Sequence, residues 1–318
     1  MKNLKVVFMG TPDFAVPILE RLIEETNVLL VVTQPDKVRG RNNKVSFSPV
    51  KELAVKNNIE VFQPEKIKEN YKIIIDKNPD IIITAAYGQI IPEELLFFSK
   101  YKAINVHASL LPKYRGGAPI NRAIENGEKY LGITIMYMDK LMDNGDMISQ
   151  RKIELKEEDN FDTMNEKLSI LGRDLLMDTL PSVLSGTNER EKQKEEDVTI
   201  IKLLKKEELL IDFNKDAISV YNKIRSLDSV PGAYAFLNNK KYKLFDVRVG
   251  SEKLDDVSKI IDIKDYLEIA CKNGTIKVYT IQEEGKKKMS IKDFLPSLNE
   301  GFILHRVLDF LGQFLVHL

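Results

Sequence analysis

Along the first 140 residues, short apolar runs alternate with stretches whose apolar residues recur every three or four positions. Val6-Val7-Phe8-Met9 is the first run; it ends at Gly10-Thr11-Pro12 and is followed by Phe14, Val16, Leu19, Leu22 and Ile23, a strand, a turn and a helix in succession. Further strands are expected at residues 28–33, 81–85, 103–106 and 132–138, and helices at 49–57, 65–77 and 161–184. Strands that are apolar on both faces and separated by helices imply a parallel sheet covered on each side. Residues 1–188 therefore read as a doubly wound α/β domain with a mainly parallel sheet.

The pattern breaks at Asn188-Glu189-Arg190-Glu191-Lys192-Gln193-Lys194-Glu195-Glu196, an entirely polar run, and residues 189–206 read as a solvated linker. Beyond it a helix is expected at 217–227, a turn at Pro231-Gly232, and short strands at 234–237, 242–247, 266–270 and 276–281. The breaks Asn238-Asn239 and Asn273-Gly274 are hairpin signals. Residues 207–318 read as a smaller C-terminal, OB-like β-barrel domain, with the apolar segment 302–318 as a short packed helix.

Composition narrows the picture. Forty-eight Lys+Arg balance 48 Asp+Glu, so bulk charge points to no partner. The one cysteine, Cys271, excludes an intramolecular disulfide framework and a cysteine-built zinc site, and reads as a packing residue of a reducing compartment. The amino-terminal apolar run is too short for a signal peptide or a bilayer span, which implies a cytoplasmic protein. His305 and His317 have no cluster of acidic residues or cysteine around them, so no metal site is expected.

The candidate chemistry lies in residues 103–127. Asn105 and His107 are two apart at the end of a strand, so both side chains leave one face, at the sheet edge where ligands of such folds bind. Pro112, Gly116-Gly117 and Pro119 make a stiff loop behind them. Downstream, Asp139, Asp143 and Asp146 surround a turn, and one of them could orient His107 or exchange a proton with it. Strand-end histidines are commonly structural, and Asp-Asn-Gly is a common turn; spacing alone leaves both readings open.

Longer motifs carry a resemblance. GTPDFAVPIL at 10–19, TQPDKVRGRNNKVSFSPVK at 33–51, AAYGQIIP at 85–92, NVHASLLPKYRGGAPI at 105–120 and MDKLMDNGDMI at 138–148 resemble the methionyl-tRNA formyltransferase family. In the second domain, IRSLDSVPGAYAFLNNKKYKLF at 224–245 and GKKKMSIKDFL at 285–295 continue the likeness. The resemblance implies transfer of formyl from 10-formyltetrahydrofolate, a co-substrate, to the α-amine of methionyl initiator tRNA; no metal and a monomer are expected.

It further implies Asn105, His107 and Asp143 as the catalytic trio, Ser109, Leu110, Leu111 and Pro112 as the folate segment, and Arg39, Arg41 and Lys44 in a loop that enters the tRNA acceptor stem. These residue types suit the chemistry. Amine attack builds negative charge on the formyl oxygen, which needs hydrogen-bond donors, and an imidazole exchanges protons near neutrality. A formyltransferase acting on a small amine, such as a glycinamide nucleotide or an amino-sugar nucleotide, is the alternative; the second domain argues against the glycinamide enzymes, which usually stop after one domain. Ser109 beside a histidine and an aspartate lacks the G-x-S-x-G elbow of a hydrolase.

Overall fold

The computed structural model describes residues 1–39, 44–238, 240–297 and 307–308. Strand β1 (Lys5–Gly10) organises the first half of the chain. Helix α1 (Val16–Glu25) returns the chain to β2 (Asn27–Val32), parallel to β1 with Val6 opposite Val28. A separate antiparallel hairpin of β3 (Lys37–Arg39) and β4 (Lys44–Ser46) follows. Helix α2 (Pro49–Lys56) starts where Ser48 Oγ accepts from the Lys51 amide and proline occupies the first turn, a favourable helix start.

Short β5 (Val61–Phe62) lies beside β2, and helix α3 (Lys72–Asp76) leads to β6 (Ile81–Ala85) on the opposite side of β1. After α4 (Glu93–Phe98) comes β7 (Ala103–His107), parallel to β6. Past the two-residue β8 (Arg115–Gly116) and helix α5 (Pro119–Glu125), strands β9 (Tyr130–Tyr137) and β10 (Met147–Glu154) close the sheet antiparallel to their neighbours. The strand order is β10-β9-β7-β6-β1-β2-β5.

Because the chain leaves β1 toward β2 and later resumes on its other side with β6, the strand order reverses there. The carboxyl ends of β1, β6 and β7 meet at the crevice where open α/β sheets bind ligands. Both faces of the sheet are buried. Val7, Met9, Leu30, Val32 and Ile82 belong to one core with Ile67, Ile74 and Leu95, while the alternate residues Val6, Phe8, Val31 and Ile83 are fully buried on the other face. This is the mainly parallel α/β sheet that the alternation of runs predicts.

The second unit is an antiparallel half-barrel. Helix α6 (Phe161–Ser185) and the two-residue β11 (Ile200–Ile201) precede it; helix α7 (Ala217–Arg225), capped by Asp216 on the Ser219 amide, belongs to it. Its strands are β12 (Tyr234–Leu237), β13 (Lys240–Val249), β14 (Ile260–Ile263), β15 (Leu267–Ala270), β16 (Thr275–Glu283), β17 (Met289–Ser290) and, after helix α8 (Ile291–Phe294), β18 (Val307–Leu308). The order is β14-β15-β16-β13-β12-β18, with β17 on β16. Phe213, Val220, Ile224, Leu244, Ile269, Cys271 and Val278 fill its core. Cys271 is thus a packing residue, its thiol pushed up to about 12 by burial.

The units interleave along the sequence. Residues 1–119, 130–154 and 165–201 form the first, and 120–129, 155–164 and 202–318 the second. Polar anchors explain why two early segments join the later unit. Asn121 Nδ2 donates to the Ser226 carbonyl at 2.6 Å, Lys223 pairs with Glu125 at 2.7 Å, and the Arg225 guanidinium donates to the carbonyls of Lys156 and Asp159 at 3.0 and 3.2 Å.

Other departures from the sequence expectation are local. Only Lys72–Asp76 of 65–77 is helical, because the Gln89 carboxamide takes the Ile67 amide and the Pro64 carbonyl at 2.8 and 3.1 Å and holds that stretch out of a helix. β5, β10 and β14 are additional strands of the two main sheets, and the short β3, β4, β8, β11 and β17 were not expected either. In segment 302–318 only Val307–Leu308 is described, and it is a strand paired with β12, not a helix; the rest lies outside the described residues.

Phe8 is fully buried in the central strand. Phe8→Ala is expected to destabilise the first unit by about 3–5 kcal/mol, read as an earlier urea transition, with the transition of the second unit unmoved.

Candidate functional site

β7 delivers Asn105 and His107 to the carboxyl edge of the sheet, as their spacing predicts. Thr84, the lone polar side chain of β6, lies opposite Asn105 in the parallel register and donates its hydroxyl to Asn105 Oδ1 at 2.7 Å. That bond fixes which way the amide points. Its oxygen is engaged, and Nδ2 remains as a donor with no acceptor among the described residues.

His107 is 6% exposed. Its Nε2 lies 3.1 Å from the Tyr114 carbonyl oxygen, which only accepts, so Nε2 carries a hydrogen. Nδ1 is therefore the ring atom without a hydrogen in the neutral imidazole, and it faces Asp143 Oδ1 at 3.5 Å. The other carboxylate oxygen, Oδ2, accepts from the Gly116 amide at 2.8 Å. One oxygen of Asp143 is thus anchored by backbone, and the other meets the imidazole.

Of the three aspartates in that turn, only Asp143 reaches the histidine. Asp139 accepts from the Leu141 amide and the Asn144 side chain at 2.7 and 2.9 Å, which shapes the turn itself. Asp146 pairs with Arg190 at 2.8 Å. Asp143 sits at φ 51°, in the left-handed region. Two residues on, Gly145 lies so near the Tyr137 carbonyl that an added Cβ would stand 1.9 Å from its oxygen, so no larger residue fits the turn as folded.

Sequence reasoning missed the groups that hold this arrangement. Gln193, 9% exposed, donates through Nε2 to the carbonyls of Asp143 and Gly145 at 2.8 and 2.9 Å, and its Oε1 accepts from Arg115 Nε at 2.8 Å. It lies within the segment read as a solvated linker. That segment instead runs along the first unit, pairing Ile200–Ile201 with Arg115–Gly116 and Glu191 with Met147. Nothing in the polar run distinguishes Gln193, whereas Thr84 stands out in the sequence as the one hydroxyl of an otherwise apolar strand.

The segment of Ser109, Leu110, Leu111 and Pro112 leaves β7 and is held mainly by its own neighbours. Ser109 Oγ donates to the Lys113 carbonyl at 2.7 Å. Thr134 Oγ1 donates to the Ser109 carbonyl and accepts from the Leu111 amide and Gln150 Nε2, all within 3.1 Å. Leu111 packs with Met136 and Met147, while Leu110 and Pro112 are half-buried. Ser109 is therefore engaged locally, with no link to His107, and is not arranged as a nucleophile.

At the ends of β1, β2 and β6, Thr11 and Gln34 both donate to the Tyr87 carbonyl, at 3.0 and 3.1 Å. Gln63 Nε2 bridges the Gln34 carbonyl and Asp36 Oδ1 at 2.9 and 2.8 Å, and Lys51 pairs with Asp36. This network roots the β3–β4 hairpin, in which Arg39 stands opposite Lys44 in register; Arg41 lies outside the described residues. Among the described residues, no group of three or more His, Cys, Asp and Glu side chains stands together as a metal site would require, and no helix is long and apolar enough to cross a membrane.

Two family models match the chain, formyl transferase over residues 3–180 and formyl transferase, C-terminal domain, over residues 203–299. Methionyl-tRNA formyltransferase of Caldanaerobacter subterraneus subsp. tengcongensis is 47% identical over 311 residues, 95% of this chain and 100% of that protein. The chain belongs to the methionyl-tRNA formyltransferase family.

Solved structures show the same fold for this family member at lower identity. HypX of Aquifex aeolicus, solved in complex with tetrahydrofolic acid, superposes with a TM-score of 0.64 at 17% identity over 94% of this chain; the chain spans about half the length of HypX. The N-formyltransferase of Helicobacter canadensis, solved with folinic acid and dTDP-3-aminofucose, gives 0.63 at 20% identity, covering 88% of this chain and 99% of that one.

The Asp36 network yields a pH dependence. The hydrogen bond from the Lys51 ammonium, then that from Gln63, hold the Asp36 carboxyl below its ordinary 3.8. A folded-state pKa below the unfolded one means stability present above pH 3.8 and lost as pH falls through the folded value. Asp36→Asn is expected to be less stable than wild type in urea titrations at pH 6–7, and the gap to close as the pH drops below 3.8. A gap independent of pH would exclude the ionised pair as its source.

Proposed function

We propose that this chain transfers the formyl group of 10-formyltetrahydrofolate to the α-amine of methionyl initiator tRNA, and does so as a cytoplasmic monomer. The observation that carries the reading is the ordered set of Asn105, His107 and Asp143 at the carboxyl edge of the sheet, in a chain matched over 95% of its length by a methionyl-tRNA formyltransferase.

The folate supplies an activated formyl carbon on N10. The rest falls to the protein. As the amine attacks, negative charge grows on the formyl oxygen, and Asn105 Nδ2, left unused by the Thr84 bond, is a donor already aimed before the reaction begins. The attacking nitrogen must lose a proton and N10 must gain one as its bond to the formyl carbon breaks. His107 Nδ1 and Asp143 Oδ1 form the path for that proton, with Nε2 tied to Tyr114 throughout. No net proton is consumed between amine and leaving group.

Leu110 and Pro112 flank the folate, while Ser109 and Leu111 hold the segment in shape. Arg39, Arg41 and Lys44 bring positive charge to the acceptor stem, where cations bind phosphates and base edges. A basic hairpin and a second domain suit a large anionic substrate, and nothing in the site favours an amino-sugar nucleotide over it.

The test is formyl transfer from 10-formyltetrahydrofolate to charged initiator tRNA, beside free methionine, charged elongator tRNA and an amino-sugar nucleotide. Formylation of initiator methionyl-tRNA is expected, absent with free methionine and the sugar nucleotide; transfer to the sugar nucleotide alone would overturn the substrate. Asn105→Ala is expected to lower the rate by about 10²–10³ and His107→Ala by at least as much. Thr84→Val, which only frees the amide to rotate, should fall between Asn105→Ala and wild type.

A further inference from the structure

We infer that Gln193 is a positioning residue for Asp143, and that the segment carrying it is a strap that sets the geometry of the catalytic turn. The inference rests on the role proposed above for Asp143. Asp143 is held by few contacts that could aim it: its Oδ2 bonds one backbone amide, Gly116, and its own backbone lies in the left-handed region, which aspartate adopts more readily than most residues but less readily than glycine. Gln193 supplies what the turn lacks. A single carboxamide spans the carbonyls of Asp143 and Gly145, on either side of Asn144, and clamps the turn on its backbone.

The same carboxamide ties that turn to the loop on the other side of the site. Its Oε1 accepts from Arg115, whose neighbour Gly116 gives the amide that bonds Asp143 Oδ2. Tyr114, on the other side of Arg115, gives the carbonyl that fixes the tautomer of His107. Three successive residues thus address the histidine, the glutamine and the aspartate in turn. A slip of the turn relative to this loop lengthens the gap between His107 Nδ1 and Asp143 Oδ1, already 3.5 Å.

The strap is itself built in. Glu191 exchanges two backbone hydrogen bonds with Met147 at 2.8 and 2.9 Å, Thr199 Oγ1 accepts from the Tyr114 amide at 2.7 Å, and Glu195 pairs with Arg115 at 3.2 Å. Gln193 is therefore presented from a fixed backbone. A polar side chain buried to this extent, with all three bonds spent on the catalytic turn and its facing loop, is placed for that turn.

The test compares Gln193→Leu and Gln193→Glu with wild type. Leucine removes all three bonds at similar volume; glutamate keeps an acceptor for Arg115 and loses the donors to the turn. Single-turnover transfer with enzyme in excess is expected to slow at least tenfold in both, with KM for folate and for methionyl-tRNA within about threefold of wild type and the thermal midpoint of the glutamate variant within a few degrees.

A structural role alone would not single out the chemical step, nor would it depend on Asp143. In an Asp143→Asn background, Gln193→Glu is therefore expected to change the residual rate less than threefold, since coupled residues do not act additively. If the leucine variant does not fold, the glutamate variant alone decides. An unchanged rate in Gln193→Glu, or a tenfold loss that persists without Asp143, overturns the inference while leaving the formyltransferase reading intact. An unchanged rate in Asp143→Asn removes the role of Asp143 and the inference with it.

Discussion

The hydrogen bond from His107 Nε2 to the Tyr114 carbonyl is the constraint on which the site depends. A carbonyl oxygen cannot donate, so the bond assigns the tautomer and leaves Nδ1 as the ring atom through which the proposed proton transfer would run. Everything opposite Nδ1 then has a meaning it would otherwise lack. The acid–base role proposed for Asp143 depends on its lying on that side of the ring; on the Nε2 side the same carboxylate would merely replace the carbonyl. The loop from Leu111 to Gly116 is accordingly structural and chemical at once, since its shape sets the ring and its Gly116 amide holds the aspartate.

The second constraint is the Thr84 hydroxyl. An asparagine at a strand end has two chemically opposite faces, and an oxyanion is stabilised only by one of them. Pairing Asn105 Oδ1 with a donor on the adjacent parallel strand settles the choice before substrate arrives. Parallel strands make this possible because residues in register on β6 and β7 point the same way at the same edge.

How far the sequence discloses all this follows from what sequence patterns measure. Periodicity reports burial on a face, so β1, β2, β6 and β7, apolar on both sides, were legible to within a residue or two, while the two-residue β5 and β10, an edge strand of alternating burial, were not. Asn105 and His107 were legible because period-two geometry places them together. Asp143 stood among three equivalent aspartates, and only the turn, with Leu141 and Asn144 taken by Asp139 and Arg190 by Asp146, distinguishes it. Gln193 was illegible: a buried polar residue in a charged run looks like its exposed neighbours, because its burial is created by tertiary contacts fifty residues away.

That the turn is held by a neutral carboxamide bears on the chemistry. The site contains a buried guanidinium, Arg115, immediately beside Asp143's backbone anchor, yet it is directed to Gln193 and Glu195. A cation placed directly on a carboxylate favours its charged form and competes with any other partner for its oxygens. A carboxamide bonded to the backbone of the turn fixes position without touching the carboxylate. Oδ1 is thereby left to the imidazole, which suits the proton transfer proposed for the pair better than a salt bridge to arginine would. In the proposed reaction rigidity and proton mobility fall to different groups, and the strap is uncharged at Gln193, where it meets the turn, between the charged neighbours Lys192 and Lys194.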